Sequence, residues 1–112
     1  MKPNISVVIP CYNSGRFLIR SVDSILNQSY KFYKIIIIND GSTEKTTLSI
    51  LKSYKNNPKI QIINQTNKGL SSARNTGILN SKTPYILMLD SDDWINLDTL
   101  KIFHNFLIKN KK

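Results

Sequence analysis

Tyr33-Lys34-Ile35-Ile36-Ile37-Ile38-Asn39-Asp40-Gly41-Ser42 is the stretch that decides the fold. Four consecutive isoleucines show neither the alternation of a half-exposed strand nor the spacing of an amphipathic helix. β-Branched residues favour extended backbone. A strand that is apolar at every position is one covered on both faces, as in a parallel sheet between helices. Asn39-Asp40-Gly41-Ser42 then closes it with turn chemistry. Working outward, Ile5–Pro10, Ile60–Ile63 and Tyr85–Leu89 have the same character. Together with Tyr33–Ile38 they start roughly 25 to 29 residues apart, the length of a strand–helix unit. The segments between them carry helical spacing. Leu18, Val22, Ile25 and Leu26 share a face, with Ser14 as N-cap. Leu48, Leu51 and Tyr54 follow Ser42, with Glu44 in the first turn. Leu70, Ala73 and Gly77 mark a third helix, with small residues where it would lie close to a sheet. Leu97, Leu100, Phe103 and Leu107 mark a fourth. The order predicted is βαβαβαβα, an α/β Rossmann-like domain over residues 1–112 with a mainly parallel sheet and helices on both sides.

Composition narrows the function. The 112 residues are 40% hydrophobic and 21% charged, enough apolar surface for a buried core. One cysteine, Cys11, excludes an internal disulfide framework, and one histidine, His104, excludes a Cys/His zinc site. Cys11 reads as a small apolar filler, and His104 as a boundary residue without an obvious partner. The longest aliphatic run is too short to span a bilayer, and Met1–Pro10 lacks the apolar core of a signal peptide. A cytoplasmic setting follows as the expectation. Net charge is +9, from 16 Lys+Arg against 7 Asp+Glu. The basic residues are dispersed, apart from the tail at Lys109–Lys112, which is expected to fray. They form no stripe with aromatics, so no nucleic-acid partner is expected.

Ligands of an open parallel sheet bind beyond the carboxyl ends of its strands. Four of the six aspartates, Asp40, Asp90, Asp92 and Asp93, follow a strand directly. In Asp90-Ser91-Asp92-Asp93 three carboxylates repel one another unless a cation or protons intervene. An extended backbone would point Asp90 and Asp92 the same way. Such hard oxygens suit Mg²⁺ or Mn²⁺ with phosphate oxygens completing the shell. The competing reading is an acidic helix-capping turn, with Asp98 and Asp93 near a helix N-terminus. Asp40 reads either as a turn aspartate or as an acceptor for a base or ribose. Tyr12 reads either as a stacking ring or as a cover for the sheet end. Arg74, on the first turns of the third helix, offers fork geometry for phosphate or a base edge. No G-x-G-x-x-G and no G-x-x-x-x-G-K-[ST] is present.

Ile5-Ser6-Val7-Val8-Ile9-Pro10-Cys11-Tyr12-Asn13, Ile38-Asn39-Asp40-Gly41-Ser42, Asn67-Lys68-Gly69 through Ala73-Arg74-Asn75, and Leu89-Asp90-Ser91-Asp92-Asp93 together resemble family 2 glycosyltransferases of GT-A fold. The four motifs stand in the family's order and cover Ile5 to about Leu107. The resemblance implies the following roles. Pro10 and Tyr12 would hold the uracil or other base, and Asp40 would hydrogen-bond it. Arg74 would reach the base or the diphosphate. Asp90 and Asp92 would form the D-x-D motif at ribose and metal, Mn²⁺ or Mg²⁺, with Asp93 supporting the loop. Asn13 and Ser91, inside the same motifs, join the donor site. Asn39 departs mildly from the pattern, standing where family members often carry a second acid. The implied reaction transfers a sugar from a nucleotide-sugar, a UDP-sugar above all, to an acceptor hydroxyl with inversion.

The larger departure is length. Family members carry a further stretch that binds the acceptor and supplies a catalytic aspartate. The expectation is therefore the N-terminal, donor-binding portion of a GT-A fold, with a sheet in the order 3-2-1-4 and no catalytic base within the chain. On its own it would be inactive and would self-associate through an uncovered fourth strand. A glycan or lipid-linked acceptor, polysaccharide biosynthesis and peripheral contact with the inner face of the membrane complete the implied setting.

Overall fold

The computed structural model describes residues 2–110, and strands and helices alternate through it. They are β1 (Ile5–Cys11), α1 (Gly15–Leu26), β2 (Tyr33–Asp40), α2 (Lys45–Ser53), β3 (Ile60–Gln65), α3 (Leu70–Asn80), β4 (Tyr85–Met88) and α4 (Thr99–Lys109). The sheet runs β3-β2-β1-β4 with every pairing parallel, as expected from the sequence. Val7 lies opposite Ile35 on one side and Leu87 on the other, which sets the register.

Alternation divides the strand residues between two layers. Ile5, Val7 and Ile9, with Ile35 and Ile37, pack against Leu18, Val22 and Ile25 of α1, Leu51 of α2 and Leu100 of α4. Val8, Ile36 and Ile38 pack against Ala73 of α3 on the other face. Ile35–Ile38 are therefore buried on both sides, and each such side chain contributes about 1.5–3 kcal/mol of burial. At Gly77 a Cβ would stand 2.2 Å from Val8 Cγ1, so the small residue sets how closely α3 meets β1.

β2 and β3 run two residues past the expected stops. Asn39 pairs with Asn64 and Asp40 with Gln65, and Asn39 Nδ2 donates to Asn64 Oδ1 at 2.9 Å. Ladder pairing overrides the turn preference of these residues. Helix α1 starts where expected, but the capping chemistry differs. Ser14 occupies the N-cap of α1 without a side-chain cap bond, because its hydroxyl donates to Cys11 Sγ and meets Ser91 Oγ at 2.8 Å. Glu44, expected in the first turn of α2, stands instead at its N-cap position without a side-chain cap bond, and the Ser42 hydroxyl receives the Asn13 N–H. Leu97 precedes α4 and is exposed, while Leu48 and Leu70 lie outside the core. Those apolar residues fitted a helical period but have no layer to face. Cys11 is buried as expected, whereas His104 does have a partner, the ring of Tyr30 at 4.8 Å. Lys109 ends α4 and Asn110 follows it. The rest of the expected frayed tail, Lys111 and Lys112, lies outside the described residues. No helix among the described residues is long and apolar enough to cross a membrane.

Candidate functional site at the carboxyl edge of the sheet

The parallel sheet delivers four loops to one edge, and the loops after β1, β2, β3 and β4 meet there. A cleft of about 480 Å³ opens between them, lined by Pro10, Tyr12, Ser14, Asp40, Asn67, Gly69, Leu70 and Ser91 among others. A second hollow of about 410 Å³ shares Pro10, Ser14, Leu70 and Ser91, and adds Phe17, Asp90 and Asp92. Of the residues expected from the sequence, Pro10, Tyr12, Asp40, Ser91, Asp90 and Asp92 are thus brought together.

Asp40 is the best-held of them. Its Oδ1 accepts from Gln65 Nε2 at 2.8 Å and from the Lys68 N–H at 2.9 Å, and its Oδ2 accepts from the Gly69 N–H at 3.0 Å. Burial works to raise the carboxyl, but the bonds from Gln65, Lys68 and Gly69 outweigh it and hold the group below the usual range. The turn reading is realised, although the turn it organises is the one after β3. Oδ2 keeps room for a further donor, since a carboxylate oxygen accepts more than one bond. Gly41 makes this approach possible. Its φ is +73°, and a Cβ there would meet Asn67 N at 2.6 Å.

Asn13 does not line the cleft. Its Oδ1 accepts the Thr43 and Glu44 N–H groups at 2.8 and 2.9 Å, so it ties the loop after β1 to the start of α2. It adopts a positive φ of 50°, a conformation asparagine tolerates. Tyr12 is 51% exposed at the cleft mouth, which leaves a ring face for a ligand rather than for the sheet end. Arg74 is placed by an ion pair, its Nη2 standing 3.0 Å from Asp90 Oδ1. Both side chains are about 40% exposed or more, so solvent screens the pair.

The acidic cluster converges by a turn and not by the expected extended alternation. The Asp93 N–H donates to the Asp90 carbonyl at 3.0 Å and closes the loop. One carboxylate oxygen from each of Asp90, Asp92 and Asp93 then lies within 4.8 Å of the others. Three hard oxygen donors at that spacing, two of them on exposed side chains, fit a divalent cation that keeps part of its shell for other ligands. Asp98 occupies the N-cap of α4 without capping it, because its carboxylate receives the Ser29 hydroxyl.

Not foreseen from the sequence are the polar residues beneath this loop, Ser21 and Ser24 of α1 and Gln28 just past its end. A signal was available. Leu18, Ser21, Ile25 and Gln28 step by three and four, which puts two polar residues at buried positions.

Comparison with known proteins agrees with this arrangement. The model of "Glycosyl transferase family 2" matches residues 6–112. The chain is 39% identical over 109 residues to a chondroitin synthase of Pasteurella multocida, covering 97% of this chain and 11% of that protein. It superposes on Staphylococcus aureus TarS 1-349 in complex with UDP-GlcNAc with a TM-score of 0.86 and 29% identity, over 95% of this chain and 31% of that one. It also shares its fold with the mannosyltransferase PcManGT of Pyrobaculum calidifontis, solved with GDP-Man and Mn²⁺, at a TM-score of 0.82 and 23% identity, over 96% of this chain and 33% of that one. The chain thus spans between a tenth and a third of these proteins. With the family model matched across nearly its whole length on a GT-A-like sheet, the chain belongs to glycosyl transferase family 2.

Proposed function

We propose that the carboxyl-edge cleft binds the nucleoside diphosphate of a sugar donor, a UDP-sugar, and that the chain forms the donor-binding part of an inverting, metal-assisted glycosyltransferase. The carrying observation is that Pro10, Tyr12, Asp40 and Ser91 line one cleft that runs into the hollow at Asp90 and Asp92. The UDP-GlcNAc bound by TarS supports the choice of uridine, and the Mn²⁺ with PcManGT supports the cation.

Tyr12 offers its exposed ring to the base, and Asp40 Oδ2 offers the base an acceptor. Arg74, already paired with Asp90, stands where a diphosphate charge would draw it. Asp90 and Asp92, with Asp93 beside them, would hold Mn²⁺ or Mg²⁺, which when bound neutralises charge on the departing nucleoside diphosphate. The general base that deprotonates an acceptor hydroxyl is not among these groups. Asp40 holds the loop after β3, Glu44 accepts from Thr47, and Asp98 accepts from Ser29. Asp23 lies by α2, where burial and its charge push the Tyr54 phenol up to about 12. The acceptor, read as a glycan or lipid-linked hydroxyl at the cytoplasmic face of a membrane, is part of the same proposal.

Calorimetric titration with UDP tests it. Binding is expected to need Mn²⁺ and to weaken by about 1.5–3 kcal/mol in Asp92→Asn, the cost of losing a charged ligand contact. Equal UDP affinity in EDTA would contradict the metal's role. A GDP affinity matching that of UDP would contradict the base preference.

A further inference from the structure

We infer that polar side chains along α1 and just past its C-terminal end, buried Ser21 and Gln28 with part-buried Ser24 between them, position the acidic loop for cation and diphosphate, an inference that rests on the donor-site reading above. Ser21 is fully buried on the same face of α1 as Leu18 and Ile25, and Gln28, two residues past the helix end, is fully buried as well. Polar groups at such positions are costly unless each finds a partner. Their partners are backbone groups of the loop between β4 and α4, about 70 residues away in sequence.

The Ser21 hydroxyl stands 2.7 Å from the Ser91 carbonyl oxygen and also within reach of the Asp93 carbonyl oxygen. One proton is shared between two carbonyls that bracket Asp92, so both peptide planes are referred to a single atom of α1. Ser24 Oγ accepts the Ile95 N–H at 3.2 Å. Gln28 Nε2 donates to the Asn96 carbonyl at 2.5 Å, while its Oε1 accepts the Leu100 N–H at 3.0 Å. Outside the helix face, the Arg20 guanidinium lies 3.4 Å from the centre of the Trp94 ring. From Ser91 to Leu100, in the first turn of α4, the chain is therefore anchored at successive points to α1 and to Gln28 just past its end.

The physical need is plain. Asp90, Asp92 and Asp93 repel one another before a cation arrives, and a loop free to relax would splay them. Holding the backbone on a helix sets that cost at folding rather than at binding, so the cation meets donors already gathered. Ser21, Ser24 and Gln28 do not line the cleft. They are positioning residues, acting through the backbone of the loop that carries the aspartates.

The test combines hydrogen exchange with calorimetry on the full 112-residue chain. Ser21→Ala leaves two carbonyls without their shared donor. Amides of residues 91–98 are expected to exchange faster, with those of β1 and β2 unchanged. UDP affinity with Mn²⁺ is expected to fall about tenfold, while the residual UDP affinity in EDTA, far weaker in the unaltered chain as well, does not change. Gln28→Met is expected to behave alike. Arg20→Gln, a surface change that spares the fold, is expected to show the same split at about threefold. Unchanged exchange in 91–98, or an equal loss of UDP affinity with and without Mn²⁺, overturns the inference while the donor-site reading stands. A wild-type chain that binds no UDP even with Mn²⁺ overturns both.

Discussion

Asp40 keeps its charge at a site where burial alone would favour the neutral acid. Three donors, Gln65 Nε2 and the Lys68 and Gly69 N–H groups, make the difference. Its folded-state pKa is depressed, so its contribution to stability is present above the unfolded value of about 3.9 and is lost as pH falls through the folded one. Acid titration of the unfolding free energy should therefore show a limb below about pH 4 that shrinks in Asp40→Asn. At pH 7 the same substitution should cost about 1–3 kcal/mol, because an amide cannot replace both acceptor oxygens. A pH profile that is unchanged in the variant would remove Asp40 from this role. The sequence left Asp40 open between turn and base because its partners lie 25 to 29 residues away. Asn13 was misplaced for the same reason, its side chain being spent on Thr43 and Glu44. By contrast, the convergence of Asp90, Asp92 and Asp93 was legible, since spacing within four residues needs no tertiary knowledge.

Among the elements, strands were easier to read than helix ends. Ile35–Ile38 admit one environment only, and all four β-branched blocks became strands. Caps were harder, because the Ser14 hydroxyl is claimed by other loops and Glu44 stands at the N-cap of α2 rather than inside its first turn. The polar face of α1 escaped because its meaning depends on a loop that no local rule places beside it. α3 carries the sharpest prediction at this scale. An added methyl in Gly77→Ala would press on Val8, and overpacking of that kind costs about 1–3 kcal/mol. The helix-propensity gain of about 1 kcal/mol offsets only part of it. A net loss of up to about 2 kcal/mol in urea unfolding is expected, and a stabilised variant would show that α3 can lift from β1 freely.

For the molecule as a whole, the parallel sheet explains how a chain with 7 acids against 16 basic residues gathers carboxylates at one edge. All four strands point the same way, so every loop after a strand arrives there. The sheet order also leaves β4 at an edge, and α4 presents Ile102 and Phe106 to solvent. Open edges and apolar helix faces both favour association between copies. Light scattering of the 112-residue chain at micromolar concentration should therefore report a dimer or larger species. A monodisperse monomer would contradict this.

The carboxyl-edge cleft, proposed as the donor site, has a rival in a hollow of about 420 Å³ at the other end of the strands. Lys2, Lys34 and Lys82 line that hollow, a setting that could attract a diphosphate by charge alone. Heteronuclear NMR of the isotope-labelled chain, titrated with UDP and Mg²⁺ and then with trace Mn²⁺, separates the two. Shifts are expected at Tyr12, Asp40, Gly69 and Ser91, with paramagnetic broadening centred on Asp90–Asp93. Shifts and broadening clustered at Lys2, Lys34 and Lys82 would contradict it.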